Sequence, residues 1–163
     1  MVEDTFCTEV GLCNPCLTEY LADLLVKFTH VDQLRCISNA HGKDLERIAG
    51  MLSVLERDEA NQGEMERECR MYRHIGDFSL FWAGVYPEQL KRERSAGYDV
   101  LLSFVSQGKR SYAIVSEMSD ESDVLPASLF RDLSEDFEYC LYGLGLVRKG
   151  WEHSEPGGGD LLI

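Results

Sequence analysis

The chain has 163 residues, 44% of them hydrophobic, enough for one sizeable core and too few for two ordinary domains with a linker. Its 16 Lys and Arg against 29 Asp and Glu give a formal charge of -13, which repels a phosphate backbone and argues against nucleic acid as a partner. No apolar run approaches the ~18 residues that span a bilayer. Met1 to Phe6 lacks the basic and apolar regions of a secretion signal, so no membrane association and a cytoplasmic location are expected. Six cysteines, Cys7, Cys13, Cys16, Cys36, Cys69 and Cys140, then read as reduced thiols, most of them small buried hydrophobes.

In chain order, Asn14-Pro15 supplies an N-cap followed by proline at the first helical position, and Leu17, Leu21, Leu24, Leu25 and Phe28 repeat at helical spacing behind it. A shorter helical piece carries Val31, Leu34 and Ile37 and breaks at Asn39-Ala40-His41-Gly42. Leu45, Ile48, Leu52 and Leu55 mark the next helix, and the polar run from Arg57 to Gly63 is a loop. From Glu64 a helical pattern runs to Pro87, which stops it, with Gly76 a candidate kink. Within it, charged residues up to Arg73 give way to Phe78, Phe81, Trp82, Val85 and Tyr86, which point all round the axis and demand cover.

Tyr98, Leu101, Val105, Gly108, Tyr112 and Val115 keep the spacing of one helix face. The alternative is two strands around Gln107-Gly108-Lys109. A lone hairpin would lack a sheet to join, so residues 98–118 are read as helix. Pro126 opens a last helix with Leu129, Phe130, Leu133, Phe137, Leu141 and Leu144 on one face. Tyr139, Tyr142 and Leu146 make its second half apolar on every side, which points to the bundle centre or a second subunit. The expected fold is therefore an all-α, single-domain bundle of five to seven helices over residues 1–153, with a flexible tail at 154–163. Gly76, Gly84, Gly108, Gly143 and Gly145 would let its helices approach closely.

Three constellations bear on chemistry. Cys13-Asn14-Pro15-Cys16 places two thiols at a helix start, where dipole and amides favour a thiolate, and so is a candidate redox or metal pair. The competing reading is two inert cysteines, because neither a βαβ context nor a second ligand pair accompanies them. Arg70, Arg73, His74 and Asp77 share one helix face, and a histidine oriented by a carboxylate is a usable base; the plainer alternative is an i,i+4 ion pair on a wet stripe. Gln107 to Tyr112 offers two cations and hydroxyls for an anion without the spacing of a phosphate loop, and ordinary surface cations are the plainer reading there. Tyr72, His74, Asp77, Lys109, Arg110 and Tyr112 are thus the candidate ligand-binding residues. No catalytic residue, cofactor or resident metal is assigned from the sequence.

Asn14-Pro15 with Tyr20-Leu21-Ala22-Asp23-Leu24-Leu25, His74-Ile75-Gly76-Asp77 with Leu80-Phe81, and Gly108-Lys109-Arg110-Ser111-Tyr112 together resemble a family of bacterial, all-helical proteins of uncharacterised function. What that resemblance implies is a single bacterial cytosolic helical domain, with no catalytic role to carry over. The functional expectation is a non-catalytic interaction or self-associating module. Its rivals are a small-molecule-binding protein or enzyme near His74 and Asp77 with Lys109 and Arg110, and a thiol or metal site at Cys13 and Cys16.

Overall fold

Asn14 starts the first long helix for two local reasons. Its Oδ1 accepts from the Leu17 amide at 3.3 Å, satisfying one first-turn donor, and Pro15 brings a preset φ with no N–H to satisfy. Its Nδ2 also donates to Asp132 Oδ2 at 3.1 Å, tying this helix start to a segment 118 residues later.

The structure, a computed structural model, describes residues 2–32, 62–92, 94–95 and 98–154. Helix α1 spans Pro15–Asp32, α2 Gln62–Val85, α3 Pro87–Arg92, α4 Val100–Met118, α5 Ala127–Glu135 and α6 Phe137–Ser154. Ahead of α1, a turn at Val2–Asp4 runs into a π-helical stretch at Thr5–Val10, closed by Gly11 at φ 78. Two-residue strands β1 (Arg94–Ser95) and β2 (Tyr98–Asp99) pair antiparallel, Arg94 opposite Asp99. The architecture is an all-α single-domain bundle, and among the described residues no helix is long and apolar enough to cross a membrane. The expected elements on Leu34 and Ile37, at Asn39 to Gly42 and on Leu45 to Leu55, and most of the tail, lie outside the described residues.

α2 is the central column. Every residue of it from Ile75 to Val85 is buried, as the change from charged to apolar residues predicts, with α4 and α6 packed along it and α1 against it. Phe28 of α1 stacks on Phe81 at 4.7 Å between ring centroids, and Phe78 meets Phe104 of α4 at 6.2 Å. α2 runs unbroken through Gly76, where a Cβ would lie 2.8 Å from the Tyr112 ring, so this glycine serves close approach and not a kink. Gly84, Gly108 and Gly143 are likewise covered by Leu144, Phe137 and Phe6, whereas the nearest atom to a Cβ on Gly145 is the Gly84 carbonyl at 3.7 Å. At the end of α2, Arg148 donates to the Val85 carbonyl at 2.6 Å and pairs with Glu88 at 2.5 Å, a cation closing a helix C-terminus from another helix.

Four sequence expectations change. α1 continues through His30 to Asp32, so Val31 belongs to it and opens no new piece. Pro87 ends α2 but also begins α3, because a proline excluded from a helix interior is well suited to a first turn. Tyr98 lies in β2, and the helix expected from it starts at Val100; the rest of that helix is as expected and the hairpin alternative falls. The single last helix is two, divided at Asp136 (φ -95, ψ 21), whose amide still donates to Asp132 O at 2.8 Å.

Candidate functional site

The second turn of α1 brings Tyr20 inward on the same face as Leu17, Leu21 and Leu24. A buried tyrosine needs a partner for its hydroxyl. It finds one in Asp77 of α2, whose residue is 3% exposed: Tyr20 Oη donates to Asp77 Oδ1 at 2.5 Å, and Tyr112 Oη of α4 donates to the same oxygen at 2.8 Å. Oδ2 faces Lys27 Nζ at 3.8 Å, a side chain that is 53% exposed. Arg73, one turn before Asp77, donates from Nε to Tyr20 Oη at 3.2 Å and lies over the Tyr20 ring at 5.6 Å.

Burial pushes the Asp77 carboxyl above its usual range, against the opposing pull of the two tyrosine hydroxyls, Lys27 and Arg73. Burial and then the Asp77 charge push both tyrosine hydroxyls far up, so they stay protonated and donate. For Arg73, burial alone works against the charge, but Tyr20 and Asp77 outweigh it and hold the guanidinium more firmly cationic. The cluster is a relay of fixed polarity, cation to hydroxyl to carboxylate, spanning three helices.

Arg73 also lines a groove of about 780 Å³ between the first half of α2, the end of α4, the segment after it and α5. Val115, Leu125 and Phe130 supply an apolar wall, and Phe130 in turn packs its ring against Tyr20 and Tyr112. Met65 and Val124 at the mouth are exposed apolar side chains, 50% and 99%. Arg70 and Cys69 line the α2 side, and Glu66 and Asp123 add two carboxylates. The chain matches no family model, no characterised protein and no solved structure.

Of the six candidate ligand residues, the structure joins Asp77 and Tyr112. His74 is half-buried with its ring 6.4 Å from that of Phe78, Tyr72 is half-buried against the core, and the groove lining includes neither. Lys109 pairs with Glu138 at 2.7 Å, holding that carboxyl below its usual range, and Arg110 is exposed; both lie apart from the groove. The wet stripe through Arg73 and Asp77 is corrected: Asp77 is sealed by aromatic rings, and Arg73 reaches it through Tyr20. Tyr20, Lys27 and Phe130 were missed, although a tyrosine on the apolar stripe of α1 is itself a sign of a buried polar partner.

The cysteines also differ from expectation. Cys7 and Cys13 form a disulfide across six positions, and both are exposed. Cys16 is free and exposed, Cys69 half-buried and Cys140 buried, with burial and the nearby Asp136 and Asp132 pushing its thiol up to about 12. Only Cys140 and partly Cys69 match the buried apolar reading; Cys36 lies outside the described residues. Among those described, no group of three or more His, Cys, Asp or Glu side chains is arranged to hold a metal.

Proposed function

We propose that the protein is a non-catalytic binding module for an amphipathic organic anion taken up between α2, α4 and α5. The supporting observation is Arg73, a half-buried cation lining a groove with an apolar wall, with its Nε committed to Tyr20 and no hydrogen bond from its η nitrogens among the described residues. Holding a guanidinium in place beforehand reduces the ordering cost of binding. The groove volume falls within the ~300–1,000 Å³ of small-molecule sites. Glu66 and Asp123 favour a single carboxylate or sulfonate over a polyanion.

The test is fluorescence titration with 8-anilinonaphthalene-1-sulfonate, with decanoate as competitor. Wild type gives a saturable rise that decanoate reverses, Arg73→Gln weakens it about tenfold, as expected for one charge-assisted hydrogen bond, and Arg110→Gln leaves it unchanged. Equal affinity in Arg73→Gln, with near-ultraviolet circular dichroism showing native packing, overturns the proposal.

A second reading, a protein-partner or self-association module, rests on Tyr139 and Tyr142. Of the two apolar stretches that motivate it, Phe78 to Tyr86 is buried as far as Val85, with Tyr86 half-buried, whereas in Phe137 to Val147 these two tyrosines on α6 are each 58% exposed. Light scattering that finds a dimer in wild type and a monomer in Tyr139→Ser/Tyr142→Ser supports it; a wild-type monomer at all concentrations removes self-association. A cytosolic setting requires the Cys7–Cys13 bond to be reversible, because thiols there are kept reduced.

A further inference from the structure

Cys13 is bonded to Cys7, and a free thiol, Cys16, follows three positions along the chain. Its present partner, Cys7, sits on the π-helical stretch, which is fastened independently of the disulfide: Phe6 is fully buried in the notch at Gly143 of α6, and the Phe6 carbonyl accepts from the Leu12 amide at 2.9 Å. Cys16, exposed and unbonded, is the second residue of α1, three positions beyond Cys13. Cys13, just before the capping residue Asn14, and Cys16 in the first turn have the Cys-x-x-Cys spacing that thiol–disulfide chemistry bridges across a helix start. A thiol attacks as its thiolate, and Cys16 is exposed to the solvent that takes up its proton.

We propose that Cys7, Cys13 and Cys16 form a thiol–disulfide exchange site in which Cys13 is shared between two alternative partners. The Cys16 thiol loses its proton to solvent and its thiolate attacks Cys13 Sγ. The Cys13–Cys16 bond forms as the Cys7–Cys13 bond breaks, and Cys7 leaves as a thiolate that takes up a proton. One disulfide and one thiol stand on each side, so no oxidant or reductant is consumed. The outcome is a free Cys7 thiol on the exposed face of the N-terminal segment, whose anchor at Phe6 is untouched. This site is separate from the groove and stands or falls without it.

The sequence itself supplies a clean assay. Cleavage after Glu9 and Glu19 leaves Cys7 on one peptide and both Cys13 and Cys16 on the next. Dilute wild-type protein is equilibrated at mildly alkaline pH without added thiol, trapped with iodoacetamide and digested unreduced for mass spectrometry. Before exchange the two peptides are linked and Cys16 carries the label. After exchange the Val10 to Glu19 peptide is internally bridged and Cys7 carries it. The expected result is that wild type yields both the linked pair and the bridged Val10 to Glu19 peptide. Cys7→Ser serves as the positive control for detecting the bridged peptide, and Cys16→Ser abolishes that peptide while leaving the linked pair. Absence of the bridged peptide from wild type, with or without its appearance in Cys7→Ser, overturns the proposal.

Discussion

Replacing Tyr112 by Phe removes one hydroxyl from the Asp77 cluster and almost nothing else. The ring that packs on Phe130 and Phe137 and covers Gly76 is kept, so no cavity opens, and Tyr20 still donates to Oδ1. The loss is one hydrogen bond of 2.8 Å to a buried carboxylate. Bonds to charged groups contribute about 1.5–3 kcal/mol, so a cost near 2 kcal/mol is expected where Asp77 is ionised. The pH dependence follows from the direction of the Asp77 shift. A carboxyl raised in the folded state contributes stability that is present below its unfolded value, about 3.9, and is lost as pH rises through the folded value. Removing a donor raises the folded value further and enlarges that loss. The cost of Tyr112→Phe therefore grows as pH rises through the folded value, from about 0.5–1.5 kcal/mol, the worth of a neutral bond, below it to its full size above it. Urea unfolding across this range, with unchanged slope, measures it. In an Asp77→Asn background, where the charge is gone, the cost stays at the neutral-bond value at every pH. A cost below about 0.5 kcal/mol at neutral pH, or one independent of pH in the wild-type background, refutes the reasoning.

Other substitutions test the scaffold. Asn14→Ala removes both the cap on α1 and the tether to Asp132 and costs about 1–2 kcal/mol in urea unfolding. Gly143→Ala drives a methyl into the Phe6 ring and costs about 1–3 kcal/mol, with Cys7 alkylating faster after reduction as the segment loosens. Ser79→Ala removes a fully buried hydroxyl with no hydrogen-bond partner among the described residues, so thermal unfolding finds it neutral or stabilised. Lys109→Ala breaks an exposed ion pair with Glu138 and changes stability by no more than about 0.5 kcal/mol, a difference that salt erases.

The parts of this molecule legible in its sequence are those where one local signal dominates. Asn14-Pro15 announces α1, and the run from Ile75 to Val85 announces burial because no solvated face could carry it. The break at Asp136 is silent for a definite reason: the joint is one residue long and nearly helical, so Leu129, Leu133, Phe137 and Leu144 stay in phase across it. Proline, which stops α2 and starts α3, reads locally as a stop alone. At the site, Asp77 and Tyr112 could be nominated as polar residues beside apolar runs, but their meeting depends on how α2 and α4 pack, which periodicity does not encode. Tyr20 was hidden by sequence distance, and the groove by its assembly from three helices and a connecting segment. The Cys7–Cys13 bond was obscured by an inference about compartment, which says how thiols are kept and not which of them are neighbours.

The division of α2 into a rooted half and a half that faces water sets where the molecule can breathe. Amides from Ile75 to Val85 open only with the whole domain and should exchange with deuterium slowest, whereas those around Met65 to Arg70 open by fraying. The groove draws its α2 wall from the fraying half, and Arg73 stands at the boundary. An occupant there would quieten the loose end of the helix while leaving the rooted end unchanged, a protection pattern confined to one side of Arg73.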